Sequence, residues 1–214
     1  MISLNKRFLF VHVPKTGGNS IAEHLIPYCQ EESGFAPRTE DSSDQFIENR
    51  YGLRRHASVS KWTKALGPEQ FAGLFKFVIL RNPWDRLVSH YIYKKRKQNQ
   101  SGWEYENFDH AAFLLWLQKH AVTFDQLCRL DEGLLSAVGR AYPQPGYLID
   151  FYIRFESMEE DWRTVCGLLQ LKPEPLQHRN KGEHAPYRKY YNPETYQAVA
   201  RRCATEIEHF GYRF

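Results

Sequence analysis

An α/β fold, a parallel sheet flanked by helices, follows from three observations. A strand-like apolar run passes through a glycine turn into a helix near the start of the chain, and the same strand, turn and helix recur around residue 80. The 214 residues are 42% apolar and 25% charged, the balance of a globular protein. That length fits one domain over residues 1–214.

Each element has its own signal. Phe8-Leu9-Phe10-Val11-His12-Val13 is aromatic and β-branched without alternation, which predicts a strand covered on both faces. Pro14, Gly17 and Gly18 end it. Ile21, Leu25 and Ile26 then recur at helical spacing, and Pro27 predicts the helix end. Residues 30–49 are polar, acidic and aperiodic, as in a long loop or flap. Phe75 to Leu80 reads as a second strand, and Asn82-Pro83 supplies the cap and first-turn proline of a helix reaching about Lys97. A helix over 109–119 presents Phe113, Leu114 and Leu117 on one face, and Phe151 to Phe155 is a third strand. Ser157-Met158-Glu159-Glu160 reads as a capping box opening a helix through Leu169. Asn192-Pro193 opens the last helix and Gly211 closes it.

Composition removes several function classes. No apolar run approaches the roughly 20 residues that cross a bilayer, and Pro14-Lys15 follows the first one with no small-residue cleavage site, so neither a transmembrane segment nor a secretory signal is expected. Cys29, Cys128, Cys166 and Cys203 lie far apart with no Cys-x-x-Cys pair, which predicts reduced thiols in a cytoplasmic protein and no zinc site. The net charge of +4 hides an uneven distribution. Residues 50–100 hold twelve Lys and Arg against Glu69 and Asp85, an excess of +10, so the middle of the chain calls for an anion. No RNA- or DNA-binding signature accompanies those charges, so nucleic acid is not the expected partner.

In α/β sheets ligands bind beyond the carboxyl ends of the strands, which directs attention to the residues after Val13 and after Leu80. Pro14-Lys15-Thr16-Gly17-Gly18-Asn19-Ser20 joins strand to helix. Its glycines allow a tight turn, its N–H groups and the helix N-terminus favour a phosphate or sulfate, Lys15 adds a charge, and Thr16, Asn19 and Ser20 add polar side chains. It is not a Walker loop, because the lysine precedes the glycines, which argues against Mg-ATP. Arg81-Asn82-Pro83-Trp84-Asp85-Arg86-Leu87-Val88-Ser89-His90-Tyr91 follows the second strand. There Arg81 and Ser89, two helical turns on, suit a second phosphate, and Arg86 shares a helix face with Ser89. The plainer alternative pairs Arg81 with Asp85.

Taken together, the two segments resemble the sulfotransferases that use 3′-phosphoadenylyl sulfate. PKTGGNS is similar to the family's 5′-phosphosulfate loop and RNPWDRLVSHY to its 3′-phosphate segment, closest to the carbohydrate branch that includes uronyl and heparan 2-O enzymes and small bacterial relatives. Weaker likeness extends to Arg55-His56-Ala57-Ser58, to Arg154-Phe155-Glu156 and to residues 178–214, whereas residues 31–50 and 103–116 match nothing in the family pattern.

The resemblance implies a P-loop-like sulfotransferase fold and transfer of a sulfuryl group to an acceptor hydroxyl, with no metal. By analogy Lys15 stabilises charge on the bridging oxygen and leaving phosphate, residues Thr16 to Ser20 cradle the 5′ end, and Arg81 with Ser89 fixes the 3′-phosphate. Lys181 and Arg188 are candidates to reach phosphates, and Tyr187 to cover the adenine. His56 is the expected general base, Glu23 the carboxylate alternative, and His12, His24, His90, His110, His120 and His209 are read as structural. The acceptor is a hydroxyl compound, with an anionic glycan as one candidate. Lys94 to Lys97 suits either that acceptor or the helix dipole. The competing readings are an ATP-dependent phosphotransferase, which lacks its Walker lysine, and a noncatalytic anion binder.

Overall fold

The computed structural model describes residues 1–29, 49–98, 104–130, 132–138, 147–176 and 185–214. Apart from Asn49, the loop expected over 30–49 lies outside the described residues, and so does Lys181. Four strands form one sheet in the order β1 (Ile2–Ser3), β2 (Phe8–Val11), β3 (Phe75–Leu80), β4 (Phe151–Arg154). β2, β3 and β4 are parallel, with Phe10 opposite Phe77 and Phe77 opposite Phe151. The sheet is therefore mixed at its edge, because β1 pairs antiparallel with β2. Two residues carry no readable periodicity, and the turn behind them is made by Arg7 at φ 53 with its N–H bonded to the Leu4 carbonyl.

The helices are, in chain order, α1 (Gly18–Cys29), α2 (Val59–Leu66), α3 (Pro68–Ala72), α4 (Pro83–Lys97), α5 (His110–His120), α6 (Phe124–Cys128), α7 (Glu132–Val138), α8 (Met158–Leu169), α9 (Pro193–Arg202) and α10 (Ala204–Phe210). Strand alternation divides them. Phe8, Phe10, Phe77, Ile79 and Ile153 face α1 and α8, while Leu9, Val11, Val78 and Leu80 face α2, α3 and α6. With both faces covered, a ligand can reach the sheet at its edges, and in α/β sheets it binds beyond the carboxyl ends of the strands. A third cluster, including Trp84, Leu87, Tyr91, Phe113, Tyr190 and Val199, packs α4 against α5 and α9.

Three sequence expectations are corrected. α1 passes through Pro27 to Cys29. Pro27 lies in the last turn, so the one backbone bond it forfeits is near a helix end where solvent reaches the chain. The capping box at Ser157 does not form: the Ser157 hydroxyl donates to Asp161 Oδ2 at 2.9 Å, and the same oxygen accepts the Arg154 N–H at 2.7 Å. The last helix is two, broken at Cys203, and the break sets α10 so that Glu206 meets Arg86. Asn192 does open α9, in a reciprocal cap with Thr195.

Part of the +10 excess is spent inside the fold. Lys76 is fully buried and paired with Asp150 at 2.9 Å, and buried Arg86 donates to Glu206 at 2.8 Å and to the Val122 carbonyl at 2.9 Å. The four cysteines are buried. Among the described residues no helix is long and apolar enough to cross a membrane.

Candidate active site at the carboxyl edge of the sheet

The chain leaves β2 through His12 and Val13 and turns into α1 with two residues in the left-handed region, Lys15 at φ 64 and Gly17 at φ 79. A lysine held there costs about 1–2 kcal/mol, so the surroundings must hold it. They do so from both ends. The Lys15 carbonyl accepts from Arg81 Nη1 at 2.8 Å, and its ammonium lies 4.3 Å from the centre of the Tyr93 ring on α4. The two glycines meet different demands. A Cβ on Gly17 would come within 2.8 Å of Met158 and 3.0 Å of Phe155, and one on Gly18 within 2.5 Å of His12 Nε2. Thr16 is buried and spends its one hydroxyl proton on the Val13 carbonyl at 2.9 Å, so its side chain pins the turn and cannot donate to a ligand. The Ser20 N–H bonds back to the Gly17 carbonyl at 3.3 Å, and Gly18 and Asn19 stand at the N-terminus of α1, where the helix favours an anion.

Arg81 stands at the seam between the two strand–turn–helix units. Its Nε and Nη2 hold both oxygens of Asp85 at 2.8 and 2.9 Å, Nη1 holds the Lys15 carbonyl, and the guanidinium lies 4.3 Å from the Phe155 ring centre. The pairing with Asp85 is present, and together with the Lys15 carbonyl it leaves two of the five N–H donors of the fork. Ser89 lies two turns along α4 and is buried; Arg86 turns away from it into the ion pair with Glu206. Asn82 caps α4 by accepting the Trp84 N–H, and its amide donates to the Arg213 carbonyl at 2.8 Å and to the Tyr187 hydroxyl at 3.4 Å. Tyr187 and Arg188 are thereby brought to the mouth of this unit, Arg188 being exposed over the Tyr187 and Phe214 rings.

His56 completes the edge. It is exposed, and its Nδ1 lies 2.8 Å from the His12 carbonyl. A carbonyl only accepts, so in the neutral ring Nδ1 carries the proton and Nε2 the lone pair, the tautomer a general base requires. Arg55, the residue before it, donates from Nε to His12 Nδ1 at 2.8 Å and from Nη2 to the Asn19 side-chain oxygen. His12 was legible only as a buried core residue. It is buried, yet it joins the base segment to the anion loop, and burial with the nearby His56 and Arg55 charges holds its pKa well below the ordinary 6.5. Glu23 sits one turn into α1 and is half-buried.

His90 belongs to the same electrostatic neighbourhood. Its pKa falls to about 3, through burial first and then the charges of Lys94, Arg86, Lys15 and His56. His90, Tyr93, Lys94 and Lys97 follow at helical spacing along one stripe of α4, and the Tyr93 ring that receives Lys15 also receives Lys97, at 5.0 Å. Lys94 and Lys97 are exposed, so the stripe runs from Lys15 outward as a basic surface. Among the described residues no group of three or more His, Cys, Asp and Glu is placed to hold a metal ion.

The model of the Sulfotransferase family matches residues 1–213, which is nearly the whole chain. No curated protein and no solved structure matches.

Proposed function

Given that the chain belongs to the sulfotransferase family, we propose that it transfers the sulfuryl group of 3′-phosphoadenylyl sulfate to a hydroxyl of a carbohydrate acceptor, as one catalytic unit in the cytoplasm. The observation that carries this reading is the meeting of three segments at one sheet edge: the Lys15 loop, the Arg81 segment bonded to its carbonyl, and His56 bonded to the strand that feeds the loop. The donor set is cationic and backbone-rich, which suits a nucleotide with an anionic group at each end.

In this reading each part has one task. The backbone from Thr16 to Ser20 holds the 5′ end. Lys15 moves off the Tyr93 ring to the charge that develops on the leaving phosphate. The two remaining N–H groups of Arg81 and the Ser89 hydroxyl take the 3′-phosphate, with Arg188 and Tyr187 closing from the side of Asn82. His56 Nε2 accepts the proton of the acceptor hydroxyl as its oxygen bonds to sulfur, and the bond from sulfur to the bridging oxygen breaks, releasing adenosine 3′,5′-bisphosphate. The α4 stripe of Lys94 and Lys97 supports an anionic glycan among carbohydrate acceptors, since it extends the field of Lys15 away from the nucleotide segments. Calorimetry distinguishes this reading from an ATP-dependent one: adenosine 3′,5′-bisphosphate should bind and ADP-Mg should bind far more weakly, and equal or preferred ADP binding would overturn it.

A further inference from the structure

Arg54 and Arg55 stand in the sequence as two unassigned cations beside the expected base, and only their surroundings separate them. Arg54 is exposed, whereas Arg55 is half-buried and reaches two elements at once. Its Nε donates to His12 Nδ1 at 2.8 Å, at the exit of β2, and its Nη2 donates to the Asn19 side-chain oxygen in the first turn of α1. A guanidinium only donates, so it fixes which ring nitrogen of His12 is bare. The neighbouring residue then grips the same histidine by its backbone, His56 Nδ1 donating to the His12 carbonyl at 2.8 Å, with the two imidazoles edge to face and 4.8 Å between centres. Gly18 closes the arrangement from the other side, since any side chain there would strike His12 Nε2.

Building on the proposed function, we infer that Arg55 is a positioning residue: it fastens His12 and Asn19 together and sets the distance between the base His56 and the anion loop. Two consequences follow from the chemistry of the fork. The contact with Asn19 ties the base segment to the loop that receives the donor, so the base and the transferring group share one frame. The permanent charge beside His56 disfavours the imidazolium, as Lys15 does; the other imidazoles of the neighbourhood, buried His12 after β2 and His90 on α4, both have lowered pKa values and stay neutral there. A lysine in place of Arg55 would keep that charge and lose the fork, and a glutamine would lose both.

The test reads His56 directly. Ring ¹⁵N shifts of the unliganded protein report the tautomer and titration of His56 without any turnover, so they stand or fall apart from the sulfuryl-transfer reading. Wild type should show the Nδ1–H tautomer, and Arg55→Gln should titrate about half a unit to one unit higher, with Arg55→Lys near wild type. Kinetics supply the second measurement. Arg55→Gln should lose about 10- to 100-fold in kcat with the donor KM changed far less, and its acidic limb should move to higher pH; Arg55→Lys should recover the limb and not the kcat. An unchanged His56 titration in Arg55→Gln overturns the inference. So does a loss confined to donor KM, which would make Arg55 a donor ligand. If Arg55→Gln does not fold, Arg55→Lys still decides: full wild-type kcat in that variant refutes the need for the fork. Absence of sulfuryl transfer by wild type would instead remove the function proposed above and leave the shift measurement intact.

Discussion

The two strand–turn–helix units meet at one edge and are built by opposite means. The unit after β2 is made of backbone: a left-handed lysine, two glycines that neighbours crowd, and a hydroxyl turned inward to its own chain. The unit after β3 is made of side chains that are already paired, Arg81 with Asp85, Arg86 with Glu206, and Asn82 with residues far along the chain. The first is sensitive to volume and to the loss of a single charge. The second is sensitive to leaving a buried charge without its partner.

Breaking that contrast starts with the largest effect. Arg86→Met should lower the unfolding free energy by about 3–5 kcal/mol, because Glu206 is left charged and buried, whereas Arg86→Met with Glu206→Leu should recover most of the loss. Urea denaturation measures both, and a single variant as stable as wild type would deny the pair its role. In the first unit, Lys15→Ala should cost about 10³-fold in transfer while the urea midpoint stays put. His56→Ala should cost about 10²-fold in kcat with the affinity for adenosine 3′,5′-bisphosphate unaltered. Gly18→Ala should destabilise by about 1–3 kcal/mol, since the ring it strikes is buried and held by Arg55; a neutral outcome would mean that His12 is free to move.

Acid provides the mildest test. His90 has its folded pKa at about 3 against 6.5 for the free side chain, so below 6.5 the unfolded chain takes the proton first. The contribution of His90 to stability is therefore full above pH 6.5, falls as pH drops, and is lost below about 3, with buried His12 acting in the same direction. Urea midpoints at pH 7.5 and 4.5 should differ, and His90→Asn should narrow the gap. An identical gap in that variant would place the acid sensitivity elsewhere.

Much of this was legible in the residues. An unbroken apolar run marked β2, because a strand covered on both faces has no polar side to show, and aromatic and β-branched residues marked β3 around Lys76 and β4 ahead of Arg154. Asn82-Pro83 and Asn192-Pro193 marked helix starts through a purely local geometry. The Arg81–Asp85 pair was readable at i, i+4. What stayed hidden depends on separation. His12 looks like its apolar neighbours, and its partner Arg55 is 43 residues away, so no local pattern announces it. Arg86 was visible on α4 as a cation, but only the break at Cys203 brings Glu206 to it. Ser157 satisfied a motif in letters and lost it to Asp161, which offers the same hydroxyl a charged acceptor.

The amide of Asn82, bonded to the Arg213 carbonyl across 131 positions, has a consequence for synthesis. The anion loop is shaped by Arg81 and Tyr93 through Lys15 and by Phe155 and Met158 beside Gly17, and the cap of α4 acquires a further partner only after residue 213 has emerged. A nascent chain can therefore close neither side of the sheet edge from local residues alone: the loop after β2 waits for residue 158 and the cap after β3 for residue 213.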